Sequence, residues 1–163
     1  MKYLPFERIT YTTDQTGKEV IEKLNEFVEP KKFGFGKKYS KEYEGAVNPD
    51  SFEISRIINY RNSFLPQING TIHPSNAGTQ IDVTMRLNAF VIFFLIVWCS
   101  FAIMFFIGIC AMSIRDHNVS INSFIPLLML LFVYILTMFG FKTESKKSKE
   151  FLRKSFEARI INE

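Results

Sequence analysis

Two long uncharged apolar stretches constrain this chain more than any other feature of its sequence. Residues 89–112 carry no charge and 22 of these 24 residues are apolar, and residues 124–141 are also uncharged, with 15 apolar residues among 18. A bilayer core about 30 Å thick needs roughly 20 apolar helical residues to cross it. We therefore expect a transmembrane hairpin over residues 89–141, with spans at 89–112 and 124–141 joined by an external loop at 113–123.

The alternative is a pair of helices buried in the core of a soluble protein. Apolar residues make up only about a third of the remaining chain, which is thin for a globular core. The remaining residues are too poor in apolar side chains to bury two such helices. The interpretation that the helices span a membrane is therefore favoured.

The basic residues predict the orientation of the hairpin. After residue 141 the chain has seven Lys and Arg residues and four Glu residues, whereas the loop 113–123 has only Arg115 and Asp116 as charged residues. Because basic residues accumulate on the cytoplasmic side of a membrane, we expect both termini in the cytoplasm. The expected location of this multi-pass protein is the plasma (inner) membrane. The basic residues expected to meet anionic lipid at the membrane interface are Arg86, Lys142, Lys146, Lys147 and Lys149.

This juxtamembrane excess of positive charge also accounts for the sequence pI of about 9.1, so nucleic acid is not an expected partner. The expected partners are membrane lipids and either an unknown protein or further copies of the chain.

Residues 1–88 predict a small cytoplasmic α+β domain. Thr16 and Glu19 form a capping-box pattern before a helix that ends at Pro30, after a strand at 6–12. Alternating apolar residues predict further strands near 42–47, 52–58, 67–73 and 79–87, joined by short turns. We expect an antiparallel β-meander with an N-terminal helix, followed by the transmembrane hairpin.

Residues 142–163 predict a basic amphipathic cytoplasmic helix. Leu152, Phe156 and Ile160 recur at a spacing of four residues and define its apolar face. This helix either lies on the lipid headgroups or packs on the sheet, and the lean apolar content of the domain slightly favours the sheet.

Neither span contains an ionisable residue, which argues against a proton- or ion-coupled transporter. Ser100, Tyr134 and Thr137 fall at similar depth in an antiparallel hairpin. They are expected either to hydrogen-bond across the hairpin or, equally, to bond back to their own helices. Gly108 adjoins a stripe of small residues, which predicts a helix–helix contact within the chain or between copies.

Two cytoplasmic segments are candidates for binding. Residues 31–38 are basic and glycine-rich but lack phosphate-loop spacing, so contact with the membrane surface is the stronger functional alternative. A possible ligand or partner patch interleaves arginines with aromatic residues: Arg56, Tyr60, Arg61 and Phe64. The favoured alternative is that these side chains cap a strand end and satisfy backbone carbonyls.

The stretches 52–72 and 78–87 carry a resemblance to known sequences. FEISRIINYRNSFLPQINGTI and GTQIDVTMRL are similar to a recurrent pattern in an uncharacterised family of small bacterial two-span membrane proteins with a β-rich cytoplasmic domain. The resemblance covers roughly residues 43–98. It implies a bacterial origin and brings no catalytic residues with it.

The histidines argue against an enzyme, because His73 and His117 lie on opposite sides of the membrane in this topology. No catalytic, metal or cofactor-binding residues are expected. The sequence favours a membrane-anchored, non-enzymatic module whose sheet presents a surface to a protein or lipid. The alternative is a homo-oligomeric protein that forms a pore or disrupts the membrane.

The topology can be tested with Asn118→Cys in a chain whose two native cysteines are replaced. We expect an impermeant thiol reagent to label this position in intact cells, because the loop faces outward, whereas Lys146→Cys should be labelled only after permeabilisation. Labelling of the Asn118→Cys variant only after permeabilisation would contradict the orientation.

Overall fold

The structure is a computed structural model that describes residues 3–32, 39–75, 78–115 and 121–162. Its helices are α1 (Gly17–Phe27), α2 (Ala89–Arg115) and α3 (Ile125–Ser155), with a 3-10 turn at Ile121–Phe124. Its strands are β1 (Phe6–Thr13), β2 (Val28–Glu29), β3 (Tyr43–Val47), β4 (Ser51–Arg56), β5 (Gln67–Ser75), β6 (Gly78–Arg86) and β7 (Arg159–Asn162). Most of the glycine-rich loop and residues 116–120 of the external loop lie outside the described residues.

All seven strands belong to one sheet, in the order β2-β3-β4-β5-β6-β1-β7. The run from β3 to β6 is the antiparallel meander that the alternating sequence predicts. β1 extends the sheet beside β6, and the short β2 pairs in parallel with β3. The fold is therefore α+β, as expected, with a wider sheet than the meander alone.

Helix α1 begins where the capping box predicts. The backbone N–H of Glu19 donates to the Thr16 hydroxyl, and the Glu19 carboxylate accepts from the Thr16 backbone N–H at 2.7 Å. Val20 and Leu24 are fully buried on the face of the helix that meets the sheet. Capping and burial of an apolar stripe together define this helix.

Helix α3 corrects the expected division between a second span and a separate C-terminal helix at 142–163. It runs unbroken for 31 residues, from the apolar segment into the charged one. Phe141, Ser145, Ser148 and Leu152 are all buried at helical spacing, so the buried face continues past the end of the apolar segment. No proline interrupts this part, and packing on the sheet sustains the helix.

The C-terminal end of α3 also differs from expectation. The helix ends at Ser155, Glu157 adopts a left-handed φ of 49°, and Ile160 lies in strand β7 rather than in a helix. The Ala158 and Glu157 N–H groups donate to the Arg153 and Lys154 carbonyls, the pattern of a Schellman cap. Glycine usually occupies the left-handed position of this cap. Because Glu157 occupies it here, the end of the helix could not be recognised from the sequence.

Aromatic side chains fasten α3 to the sheet and to α1. The Phe151 ring lies 5.1 Å from the Tyr43 ring and 5.0 Å from the Phe27 ring, measured between centroids. Phe156 is fully buried against Phe27 and Phe52. The C-terminal half of α3 therefore packs on the sheet, which settles the alternative that the sequence left open.

Two helices, α2 and α3, are long and apolar enough to cross a membrane, judged by length and composition. None of the residues of α2 is buried within the protein. Asn88 caps α2 directly after β6, through a 2.8 Å hydrogen bond from the Phe90 backbone N–H to its side-chain oxygen. Since α3 returns to the same sheet, both ends of the hairpin lead into one α+β domain.

Candidate functional site

A buried carboxylate of α3, on the helix face that meets the sheet, is the centre of the most organised polar cluster among the described residues. The Glu144 side chain is only 2% exposed. Its two oxygens accept hydrogen bonds from Arg56 at 2.9 Å, from Tyr60 at 2.5 Å and from Lys147 at 2.7 Å. The cluster joins helix α3 to the end of β4 and to the link that follows it.

Local structure explains how these side chains meet. Arg56 is the last residue of β4, and Tyr60 follows in the link 57–66 that leads to β5. Glu144 and Lys147 lie three residues apart on α3, so they share one helix face. The polar groups of β4, of the link and of α3 therefore meet at the end of the sheet that leads into the hairpin.

The electrostatics of the cluster favour a charged glutamate. Burial opposes ionisation, but hydrogen bonds from Lys147 and Tyr60 and the charges of Lys147 and Arg56 outweigh it, so the pKa of Glu144 lies below its usual 4.5. The hydrogen bonds to Glu144 and Tyr60 likewise raise the pKa of Lys147. Close by, burial raises the pKa of Tyr43 to about 12.

A second ion pair holds α3 at the neighbouring strands. Lys142 pairs with Glu7 of β1 at 2.6 Å, and the Ser145 hydroxyl donates to the same carboxylate at 2.5 Å. Ser145 also lies 3.3 Å from the Met85 sulfur on β6. Glu7 thus binds the first charged turn of α3 from the sheet, whereas Glu144 extends from that part of the helix to Arg56 and Tyr60.

The link 57–66 crosses α3 closely at Gly140. The Asn62 amide donates to the Gly140 carbonyl at 3.2 Å, and a Cβ at residue 140 would stand 3.0 Å from the Phe64 ring. Glycine therefore allows the link to pass against the helix where the apolar half ends. This contact clamps α3 between the link and the sheet.

The predicted patch of Arg56, Tyr60, Arg61 and Phe64 has a structural role in three of its four residues. Arg56 and Tyr60 bind Glu144, and Phe64 packs against the core beside Gly140. Arg61 is exposed. The sequence favoured a structural role for these side chains, in which they cap the end of their own strand. Their role is structural, but they hold helix α3 instead of capping the strand.

The five predicted interface basic residues take different positions. Lys142 and Lys147 are in ion pairs with Glu7 and Glu144. Lys149 is half-buried, and its carbonyl accepts a hydrogen bond from the Tyr11 hydroxyl. The two that stay exposed, with no ion pair to a described side chain, are Arg86 and Lys146.

The predicted hydrogen bonds across the hairpin do not form among the described residues. Ser100 bonds back to the Ile96 carbonyl of its own helix at 2.8 Å, which was one of the two alternatives. Tyr134 donates instead to the Tyr3 carbonyl at 3.1 Å, and Thr137 is buried without a hydrogen-bond partner in the described part of the chain. The N-terminal segment thus lies against the apolar half of α3.

Gly108 is not at a close contact within the chain, because a Cβ there would meet nothing within 4 Å. It lines an apolar groove of about 740 Å³ between α2 and the start of α3, together with Trp98, Phe105 and Met129. The predicted contact at Gly108 is therefore wrong within one chain and stays a prediction between copies.

The face of the sheet opposite α1 and α3 carries polar side chains. Arg8, Glu53, Asn69 and Thr84 are exposed or half-buried there, around a depression of about 400 Å³. Thr10 and Asp82 are joined across β1 and β6 by a 2.7 Å hydrogen bond. None of the described helices covers this face, which we call the open face.

A further polar pocket of about 440 Å³ lies beside the Glu144 cluster. Its wall includes Ser40 and Lys41, whose segment is held by Glu29: the Ser40 backbone N–H donates to that carboxylate at 3.1 Å. Lys41 in turn donates to the Asn25 and Val28 carbonyls at the end of α1. The pocket is therefore built on fixed elements of the described chain.

Within the described ranges, no three His, Cys, Asp or Glu side chains come together as metal ligands would. The acidic groups at the site instead accept hydrogen bonds from Lys, Arg, Tyr or Ser side chains.

Sequence reasoning overlooked Glu7 and Glu144. One signal was present: an acidic residue three positions beyond an apolar segment, inside a basic run and three residues before a lysine. That spacing indicates a paired carboxylate on a helix face.

The fold and the site define an α+β sheet domain clamped to a two-helix apolar hairpin. No protein-family model, curated protein or solved structure matches the chain. The resemblance to bacterial two-span proteins stays a prediction.

The Glu144 cluster predicts an acid-sensitive attachment of α3. Because its pKa is lowered below 4.5, the stabilisation by Glu144 is complete above that value and is lost as the pH falls below it. We expect Glu144→Gln to lower the unfolding free energy at neutral pH by about 1–3 kcal/mol and to flatten this acid-dependent loss.

Denaturant unfolding of the detergent-solubilised protein at several pH values measures both effects. The matched control is Glu150→Gln, which changes an exposed glutamate of the same helix that pairs with Arg153. Equal stability loss and equal pH profiles for the two variants would rule out a special role of Glu144.

Proposed function

We propose that the chain is a membrane-anchored, non-enzymatic module that presents the open face of its sheet to a partner protein. The observation that carries the proposal is the path of α3. This helix runs from the apolar hairpin onto one face of the sheet, so the opposite, polar face is left for a partner. The sheet is then held at a fixed place relative to the hairpin.

The membrane part of the proposal is that α2 and α3 both span, with the α+β domain in the cytoplasm at the plasma membrane of a bacterium. Support comes from the length and apolar composition of the helices and from their exposed surfaces. The basic residues that follow the apolar half of α3 favour the cytoplasmic side.

The composition of the open face supports a protein partner. It presents both charge signs, because Arg8, Glu53 and Asp82 line one depression together with threonine and asparagine side chains. Such a mixed surface offers donors and acceptors in fixed positions on a rigid sheet. The charged groups under α3 support a non-enzymatic role, since they are engaged in holding the helix.

Self-association is the second candidate, in which hairpins of several copies form a pore or disrupt the membrane. The groove of about 740 Å³ beside Gly108 favours it, because an apolar helix of a second copy could pack where a small residue leaves room.

Site-specific photocrosslinking in native membranes tests the proposal. A photoreactive residue at Thr71, exposed on the open face, should yield one discrete adduct heavier than the 19.0 kDa chain, and Asn69→Arg should abolish it. The matched control is the same residue at Glu22, exposed on the outer face of α1, which should yield no such adduct.

Four results would contradict this account. Release of the chain from membranes by alkaline carbonate would refute the membrane anchor. Adducts of the same mass from both positions, or none from Thr71, would refute the open face as the binding surface. A ladder at multiples of the chain mass would favour self-association instead.

A further inference from the structure

The polar pocket beside the Glu144 cluster has a lining suited to an anion. Three of its four charged residues are basic, namely Lys41, Arg56 and Lys147, against Glu42. The Arg56 guanidinium has five N–H donors, and its only described side-chain partner is Glu144. The remaining donors of Arg56 are therefore available to a ligand.

Other polar groups of the pocket also have capacity for a ligand. Asn59 is an exposed amide in its wall. The wall also includes Tyr43, whose buried hydroxyl lies near that of Ser148 and makes no well-formed hydrogen bond to a described residue. Buried polar groups are normally hydrogen-bonded, so an unsatisfied hydroxyl in a pocket wall points to a ligand or to water.

The pocket lies at the end of the sheet that joins the hairpin. In the register of the sheet, Ser55 pairs with Gln67 and Gln67 pairs with Arg86, three residues before α2 begins. Lys147 is six residues beyond Phe141, or about 9 Å along the helix axis. Headgroups extend roughly 5–7 Å to either side of a bilayer core, so the pocket would lie at the outer edge of the headgroup layer.

We propose that this pocket binds the phosphate of an anionic phospholipid headgroup, with Arg56, Asn59 and Lys147 as donors. The proposal rests on the proposed function in one respect, namely that α2 and α3 span a membrane. Arginine offers its planar fork to the phosphate oxygens, and lysine adds a point charge. Bound lipid would add an attachment to the membrane beside the clamp on α3.

Native mass spectrometry of the full chain in a neutral detergent tests the proposal. Phosphatidic acid is the anionic probe and phosphatidylcholine, whose headgroup carries no net charge, is its control. We expect one phosphatidic acid to bind first and more tightly than phosphatidylcholine. Lys147→Gln should weaken this first association about tenfold, the value of one charge-assisted hydrogen bond.

Two further variants separate the pocket from general surface charge and from folding defects. Lys154→Gln removes the same charge from another exposed residue of α3, which does not line the pocket, and should leave the first association unchanged. Asn59 lies outside the Glu144 cluster, and Asn59→Ala should also weaken the first association of phosphatidic acid. Circular dichroism verifies that each variant is folded.

Each contrary result has a separate meaning. Equal weakening by Lys154→Gln and Lys147→Gln, or equal binding of the two lipids, would overturn the pocket as a lipid site. Displacement of phosphatidic acid by inorganic phosphate at the same concentration would overturn the lipid source in favour of a free anion. Carbonate extraction of the chain tests the membrane anchor independently of these outcomes.

Discussion

The burial of an ionised carboxylate of helix α3 against the sheet is the constraint on which the rest of the structure depends. Glu144 is nearly inaccessible to solvent, and removing a charge from water costs several kcal/mol unless partners replace the lost hydration. Arg56, Tyr60 and Lys147 supply those partners from three parts of the chain. Lys147 belongs to the same helix as Glu144, but Arg56 and Tyr60 reach the carboxylate only when α3 lies on the sheet, so these two residues select one docking position.

This docking links the behaviour of the hairpin to that of the sheet. The aromatic contacts of Phe151 and the close crossing at Gly140 bind the same helix on either side of Glu144. A tilt or rotation of α3 in a bilayer would therefore be transmitted to the strands without passing through a flexible linker. The open face, on the other side of the sheet, would move with it.

Local patterns allowed much of the fold to be predicted. The capping box defined α1, and alternation of apolar residues located the strands of the meander, because both signals lie within a few neighbouring residues. The continuity of α3 and the strand β7 could not be predicted this way. They depend on contacts across the chain, such as Glu144 with Arg56 and Thr13 with the Phe156 carbonyl.

One unbroken helix joins the hairpin to the sheet. Spin labels at Leu128 and Glu150, both exposed on α3, test it by pulsed electron resonance in a chain without its native cysteines. About 22 residues of continuous helix separate the two labels, which predicts a single narrow distribution of label-to-label distances centred at about 33 Å. A broad or markedly shorter distribution would show a break between the two halves and would contradict the account.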